Sequence, residues 1–156
     1  HQTFKVSNKY GISNIITSSA SSVNISEMID KTDNDYLDIL TSGPIPPNPA
    51  ELLGSERFTR LLEFLKEKYD FIILDAPPVD TVTDGQIVAA KADGVALVVP
   101  QGIARKDAVL QAVRLLNKVD ANILGVIMNR FTTGETGGDY YGGYYGGYYG
   151  VNEKKE

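Results

Sequence analysis

The spacing of apolar residues predicts several amphipathic helices. The clearest is expected at residues 50–68. Its apolar positions fall at i, i+3, i+4 and i+7, which places them on one helix face: Phe58, Leu61, Leu62 and Leu65. The same periodicity predicts a helix at 105–119, a shorter one at 84–92, and helical turns within 11–30. Each of these segments therefore has one face to bury against a core.

Short apolar runs predict the strands. Residues 71–74 read Phe-Ile-Ile-Leu, and a run without polar interruption is typical of a strand buried on both faces of a parallel sheet. Further strands are expected at 95–99 and 123–128, and residues 36–40 alternate between apolar and polar. Strands separated by helices indicate right-handed crossovers, so the predicted fold is an α/β sandwich with a mostly parallel sheet.

Two segments differ in composition from the rest. Residues 41–49 contain too many prolines for a helix or strand and predict a loop. From Gly134 onwards the chain has almost no aliphatic residues and a Tyr-Tyr-Gly-Gly unit repeats, which predicts a flexible appendage. The expected organisation is therefore one domain at 1–131 and a tail at 132–156. The tail carries six of the nine tyrosines: Tyr140, Tyr141, Tyr144, Tyr145, Tyr148 and Tyr149.

The overall composition excludes several classes of protein. The net charge of −5 argues against binding nucleic acid, and no apolar stretch is long enough to span a membrane. The chain has no cysteine and one histidine, which excludes disulfide scaffolds and leaves little for a zinc site. It begins at His1 without an initiator methionine or a signal-peptide pattern, and we expect it to be a piece of a longer protein.

Asp75 is the first candidate for chemistry. It directly follows the apolar run 71–74, and the carboxyl ends of buried parallel strands are where α/β sheets bind ligands. A Walker B acid occupies such a position and holds Mg²⁺ or its water beside nucleotide phosphates. An acid that caps a turn before two prolines explains the same pattern equally well.

The other candidates have a structural alternative as well. Asn129 and Arg130 follow the last predicted strand, where they either contact a purine base or end the strand in a turn. Asp84 is expected to be the N-cap of the helix that follows it. The tail tyrosines are either phenols exposed to a modifying enzyme or a sticky segment that stacks on partners. The chain contains no G-x-x-x-x-G-K-[ST] motif, whose backbone N–H groups and lysine bind phosphates.

Taken together, these motifs resemble those of the bacterial tyrosine kinases (BY-kinases) that regulate capsule and exopolysaccharide synthesis. The resemblance covers nearly the whole chain. It is most specific in residues 42–53 (SGPIPPNPAELL), in 72–78 (IILDAPP), in 125–129 (GVIMN) and in the tyrosine cluster.

The resemblance implies a P-loop NTPase-like fold and an autophosphorylating protein-tyrosine kinase that uses ATP and Mg²⁺. In this family Asp75 is the Walker B acid near Mg²⁺, Asn129 with Arg130 lies near the adenine, and the six tail tyrosines accept phosphate. The family also implies a homo-oligomer that phosphorylates proteins on tyrosine. A membrane adaptor of the polysaccharide co-polymerase type activates it, which places the kinase in the cytoplasm at the inner face of the membrane.

The chain departs from the family pattern in one respect. The family's Walker A strand and loop and its second acidic motif lie upstream of the position that matches His1. We therefore expect a carboxyl-terminal fragment that is inactive alone, with an open apolar edge beside residues 71–74. The alternative is a non-catalytic phosphoacceptor or interaction module, or a degenerate relative of the ParA/MinD-like ATPases.

Overall fold

The computed structural model describes residues 1–18 and 24–130 of the chain. Its helices are α1 (Ile12–Thr17), α2 (Pro49–Gly54), α3 (Glu56–Lys66), α4 (Asp84–Ala89) and α5 (Lys106–Lys118), with one turn of 3₁₀ helix at Ile25–Met28. Its strands are β1 (Asp30–Lys31), β2 (Asp38–Ile39), β3 (Val95–Pro100) and β4 (Ile123–Asn129). The predicted tail at 132–156, with its six tyrosines, lies outside the described residues.

Strands β3 and β4 form a parallel pair that is connected by α5, as the sequence predicts. Their carboxyl ends coincide because Pro100 is the partner of Asn129 in the register. Helix α5 buries Ala112 and Leu116, which lie four positions apart on one face. This β-α-β unit is the parallel element of the predicted α/β architecture.

The predicted helix at 50–68 consists of two helices, α2 and α3, that meet at Ser55. Ser55 has an extended backbone, and its Oγ accepts a hydrogen bond from the Phe58 N–H, which makes it the N-cap of α3. The same Oγ donates to the Leu52 carbonyl at the end of α2. One hydroxyl therefore ends one helix and begins the next.

The main hydrophobic core surrounds α3. The apolar face predicted from the sequence is buried, and Ile16 of α1 completes it: Ile16, Phe58, Leu61, Leu62 and Leu65. Ile72 and Leu74 pack against this cluster. Arg57 extends from the same helix and donates to the carbonyl oxygens of Ile16 and Ser18, so α1 is fixed to α3 by hydrogen bonds as well as by packing.

The prediction that residues 71–74 form a strand buried on both faces is wrong. Ile72 and Leu74 pack on the core, but Phe71 and Ile73 are 89% and 91% exposed. Within the described part of the chain, residues 71–74 belong to neither sheet, and β3 pairs with β4 alone. The physical reason is that, in residues 1–18 and 24–130, no layer covers one face of this segment and no strand pairs with its edges. This arrangement agrees with the open apolar edge expected beside 71–74.

A short antiparallel hairpin of β1 and β2 packs near the end of α3. The Lys31 ammonium donates to Asp38 Oδ2 across the hairpin at 2.7 Å, and the Tyr69 hydroxyl donates to the same oxygen at 2.7 Å. Strand β2 is shorter than the predicted 36–40 and covers Asp38–Ile39. In the described ranges, no helix is both long and apolar enough to cross a bilayer.

Candidate functional site

Asp75 ends the extended segment that packs on α3. The two inward side chains, Ile72 and Leu74, fix the segment to the core, and Asp75 follows with an exposed side chain. No hydrogen bond or ion pair within the described residues engages its carboxylate. The turn-capping alternative requires such a bond, so the geometry favours a carboxylate available to an external partner.

Helix α4 positions the loop that follows Asp75. Gln86 Nε2 donates to the Val79 carbonyl at 3.1 Å, and a Cβ added to Gly85 would lie 3.0 Å from the Pro77 carbonyl oxygen. The helix therefore approaches the loop backbone closely and holds it by a hydrogen bond. Sequence reasoning missed both residues, although a glycine in the first turn of a helix is a detectable signal of close backbone approach.

The predicted N-cap role of Asp84 is wrong. The N-cap of α4 is Thr83, whose side chain makes no capping hydrogen bond, and Asp84 is the first residue of the helix. A carboxylate in the first turn still interacts favourably with the helix dipole, which explains an acid at this position.

Asn129 and Arg130 lie together at the carboxyl end of β4. The Asn129 carbonyl accepts a hydrogen bond from the Gln101 N–H at 2.9 Å, and its Oδ1 accepts one from the Arg130 N–H at 2.8 Å. Arg130 adopts a left-handed backbone with φ of 56°. These residues form the strand-ending turn that was one of the two alternatives. The Asn129 side-chain NH₂ has no partner among the described residues and remains available as a donor.

The candidate residues lie on different elements of the structure. Asn129 and Arg130 end a strand of the β3–β4 sheet, whereas Asp75 ends a segment that belongs to neither sheet. Across residues 1–18 and 24–130, no three acidic, histidine or cysteine side chains come together as a metal site. Mg²⁺ commonly retains several waters and takes one or two carboxylates together with substrate phosphates. A single exposed carboxylate fits one contribution to such an ion, and the chain's described residues supply no phosphate cradle.

The proline-rich loop is anchored at its start by the amino-terminal segment. The Asn8 side chain accepts a hydrogen bond from the Gly43 N–H at 2.8 Å and donates to the Gly43 carbonyl at 3.1 Å. Gly43 has a φ of +75°, a conformation that favours glycine, and a Cβ there would lie 2.5 Å from Ser13 Oγ. Thr41 is buried and donates to the Tyr10 carbonyl at 2.9 Å. The part of the loop that begins the most specific motif is therefore held in one conformation.

A second polar cluster consists of Lys31, Asp38 and Tyr69, and Tyr69 lies two residues before the apolar run 71–74. Hydrogen bonds from Lys31 and Tyr69 lower the pKa of the Asp38 carboxyl below its ordinary value. The hydrogen bond to that carboxylate, together with partial burial, raises the pKa of the Tyr69 phenol. Tyr69 thus remains a hydrogen-bond donor at neutral pH and connects the hairpin to the carboxyl-terminal end of α3.

The α/β chain with its parallel β-α-β unit has a P-loop NTPase-like fold, the fold of the solved structures that it matches. Comparison with solved structures places it among kinase domains of this class. The chimerical protein CapA2B2 matches 85% of this chain and 57% of its own, with a TM-score of 0.78 and 38% identity. The kinase domain of the Escherichia coli tyrosine kinase ETK matches 89% of this chain and 55% of its own, with a TM-score of 0.74 and 29% identity.

Sequence comparison finds bacterial tyrosine kinases among the relatives of this chain. The tyrosine-protein kinase YwqD of Bacillus subtilis is 36% identical over 129 residues, which are 83% of this chain and 53% of YwqD. No protein-family model matches the chain. The chain is a homologue of the bacterial tyrosine kinases. It spans 53–56% of the length of three of the curated relatives that it matches, CapB, YwqD and CpsD.

Proposed function

We propose that this chain is the carboxyl-terminal part of the catalytic domain of an ATP-dependent protein-tyrosine kinase. The kinase phosphorylates its own tail and regulates capsule or exopolysaccharide synthesis and export. The observation that carries the proposal is the exposed Asp75 carboxylate, which has no partner among the described residues and ends a segment fixed to the core, in a homologue of tyrosine kinases.

Asp75 serves as the Walker B acid in this proposal. When bound, ATP would supply the phosphoryl group, and Mg²⁺ would neutralise negative charge on the phosphate oxygens during transfer. Asp75 would hold Mg²⁺, whose charge would assist phosphoryl transfer, and the closely packed Gly85 and Gln86 hold the backbone that follows Asp75. Asn129, whose NH₂ group has no partner among the described residues, would donate to the adenine, with Arg130 beside it.

The six tail tyrosines are the proposed phosphoacceptors. A glycine-rich segment of about 20 residues spans roughly 25 Å, which is enough to reach the cleft of a neighbouring subunit. The ordinary pKa of a phenol is about 10, so the hydroxyl is protonated at neutral pH and its proton must be accepted during transfer. The proposal therefore includes a homo-oligomer in which each tail is modified by another subunit.

The partners and location follow from the same proposal. A membrane adaptor of the polysaccharide co-polymerase type activates the kinase and holds it at the cytoplasmic face of the membrane. The kinase also phosphorylates other proteins on tyrosine. The arrangement would be supported if the adaptor co-purified with the complete kinase and no longer did so when the kinase domain was deleted.

The 156 residues alone are proposed to be inactive, because phosphoryl transfer depends on positioning and charge neutralisation by a phosphate-binding loop. The test uses two proteins: the 156-residue chain, and the same chain joined to an upstream kinase segment that contains a Walker A loop. Each is incubated with MgATP and probed for phosphotyrosine. We expect signal in the joined protein alone.

Two outcomes would contradict the proposal. Phosphotyrosine on the isolated chain would show that the phosphate-binding loop is dispensable. A joined protein that is folded, binds MgATP and still leaves its tail unmodified would favour the non-catalytic phosphoacceptor or interaction module.

A further inference from the structure

The loop between β1 and β2 holds a defined shape without packing against the core. Thr32 Oγ1 donates to the Leu37 carbonyl at 2.7 Å and accepts from the Asn34 N–H at 3.1 Å. Asn34 Oδ1 accepts from the Tyr36 N–H at 3.0 Å, and the Leu37 N–H donates to the Asn34 carbonyl at 3.0 Å. These short-range bonds form side-chain-stabilised turns that fix the backbone on both sides of Tyr36.

Tyr36 is the most exposed of the three tyrosines that lie in the described residues. Tyr36 is 99% exposed, and no group in residues 1–18 or 24–130 forms a hydrogen bond with its hydroxyl. Tyr10 is 55% exposed, with the Lys9 ammonium 5.3 Å from its ring centre. Tyr69 is half-buried, and its hydroxyl is bonded to Asp38. A large amphipathic side chain that is exposed in this way is accessible to an external partner.

Two acidic residues precede Tyr36 in the loop. Asp33 and Asp35 are exposed, and neither forms an ion pair in the described part of the chain. An acidic segment is attracted to a cleft that carries divalent cations or basic side chains, which raises the rate of encounter. The loop therefore combines an accessible phenol, a fixed backbone and a favourable charge for entry into a metal-dependent kinase cleft.

We propose that Tyr36 is a phosphoacceptor outside the tail. A tyrosine kinase with bound magnesium and a nucleoside triphosphate catalyses the transfer. The phenolic oxygen attacks the γ-phosphorus, the bond from that phosphorus to the bridging oxygen breaks, the nucleoside diphosphate leaves, and the phenolic proton passes to a base or to water. This inference rests on the proposed kinase function, and it concerns a residue to which that function assigns no role.

The test uses the 156-residue chain as the substrate of an active relative, YwqD of Bacillus subtilis, with MgATP. The wild-type chain is compared with two versions: in the first version all six tail tyrosines are replaced by Phe, and in the second version Tyr36→Phe is added. Phosphate on each tyrosine is quantified by mass spectrometry after proteolysis. We expect modification of Tyr36 in the first version and about tenfold less on Tyr69, because the Tyr69 phenol must first leave Asp38.

Three results distinguish the inference from the proposed function. A phosphorylated wild-type tail with an unmodified Tyr36 would overturn the inference and leave the tail proposal standing. No phosphate on the tail or on Tyr36 would overturn both. Equal phosphate on Tyr36 and Tyr69 would also overturn the inference, because accessibility on the folded hairpin would then not determine the site.

Replacing Asp33 and Asp35 by Asn is expected to slow modification of Tyr36 about threefold, and an unchanged rate would contradict the electrostatic part of the argument.

Discussion

Replacing Phe58 by alanine is expected to remove a large part of the stability of this chain. Phe58 is 2% exposed and packs with Leu61, Leu62 and Leu65 in the core around α3. Truncation of a buried phenylalanine costs about 3–5 kcal/mol, the sum of lost transfer free energy and an unfilled cavity. A typical domain is stable by about 5–15 kcal/mol, so the loss is a substantial fraction of the total.

Phe71 provides a matched control, because Phe71→Ala removes the same atoms from a side chain that is 89% exposed. An exposed substitution of this kind changes the free energy of unfolding by less than about 0.5 kcal/mol. Urea unfolding followed by far-UV circular dichroism measures both variants. With a slope of about 2 kcal/mol per molar urea, Phe58→Ala shifts the midpoint by about 2 M and Phe71→Ala by less than about 0.3 M.

The comparison also tests the uncovered face. A Phe71→Ala variant as unstable as Phe58→Ala would show that residues 71–74 are buried on both faces in solution. A Phe58→Ala variant with nearly unchanged stability would show that the core does not lie on α3. Either result would refute the reasoning from burial.

Three further predictions concern hydrogen bonds and backbone conformation. Tyr69→Phe should cost about 1 kcal/mol of stability and raise the Asp38 pKa toward its ordinary value, as measured by NMR titration. Because the pKa of Asp38 is lowered in the folded state, its stabilisation is present above about pH 4 and is lost as pH falls through the folded-state pKa. Gly43→Ala should lower the melting temperature more than Gly54→Ala, because only Gly43 combines a positive φ with a Cβ position 2.5 Å from Ser13 Oγ. Ser55→Ala should cost about 1 kcal/mol in chemical denaturation, and an unchanged midpoint would contradict its role as the cap of α3.

The sequence predicts the elements whose determinants are local. The apolar spacing of α3 and the β3–α5–β4 order are both visible in the printed residues, and the structure confirms them. The break at Ser55 was missed because the residues around it have good helical periodicity. It depends on a single hydroxyl that competes for the backbone N–H of Phe58.

The environment of residues 71–74 was not predictable from the run itself. Four consecutive apolar residues indicate burial, but burial on two faces also depends on the layers that surround them. Here α3 covers Ile72 and Leu74, and nothing among the described residues covers Phe71 and Ile73. The pattern therefore predicts the extended conformation better than it predicts the surroundings.

The candidate site was predictable only where the position of a residue follows from the order of the elements along the chain. The position of Asp75 after an apolar run and of Asn129 at a strand end follow from chain order. The bond from Gln86 to Val79 and the approach of Gly85 to Pro77 depend on how α4 folds back over the loop. Sequence spacing carries no direct information about such tertiary contacts.

The most direct test of the kinase account is the effect of Asp75→Asn on phosphate transfer to the tail. The substitution is made in the chain joined to a Walker A segment, and initial rates of tail phosphorylation are measured at saturating MgATP. Asp70→Asn is the matched control, because Asp70 is also exposed and lies on the other side of residues 71–74. The account predicts a loss on the order of 100-fold for Asp75→Asn and a change of less than about twofold for Asp70→Asn. An Asp75→Asn protein that transfers phosphate at the unmodified rate would contradict it.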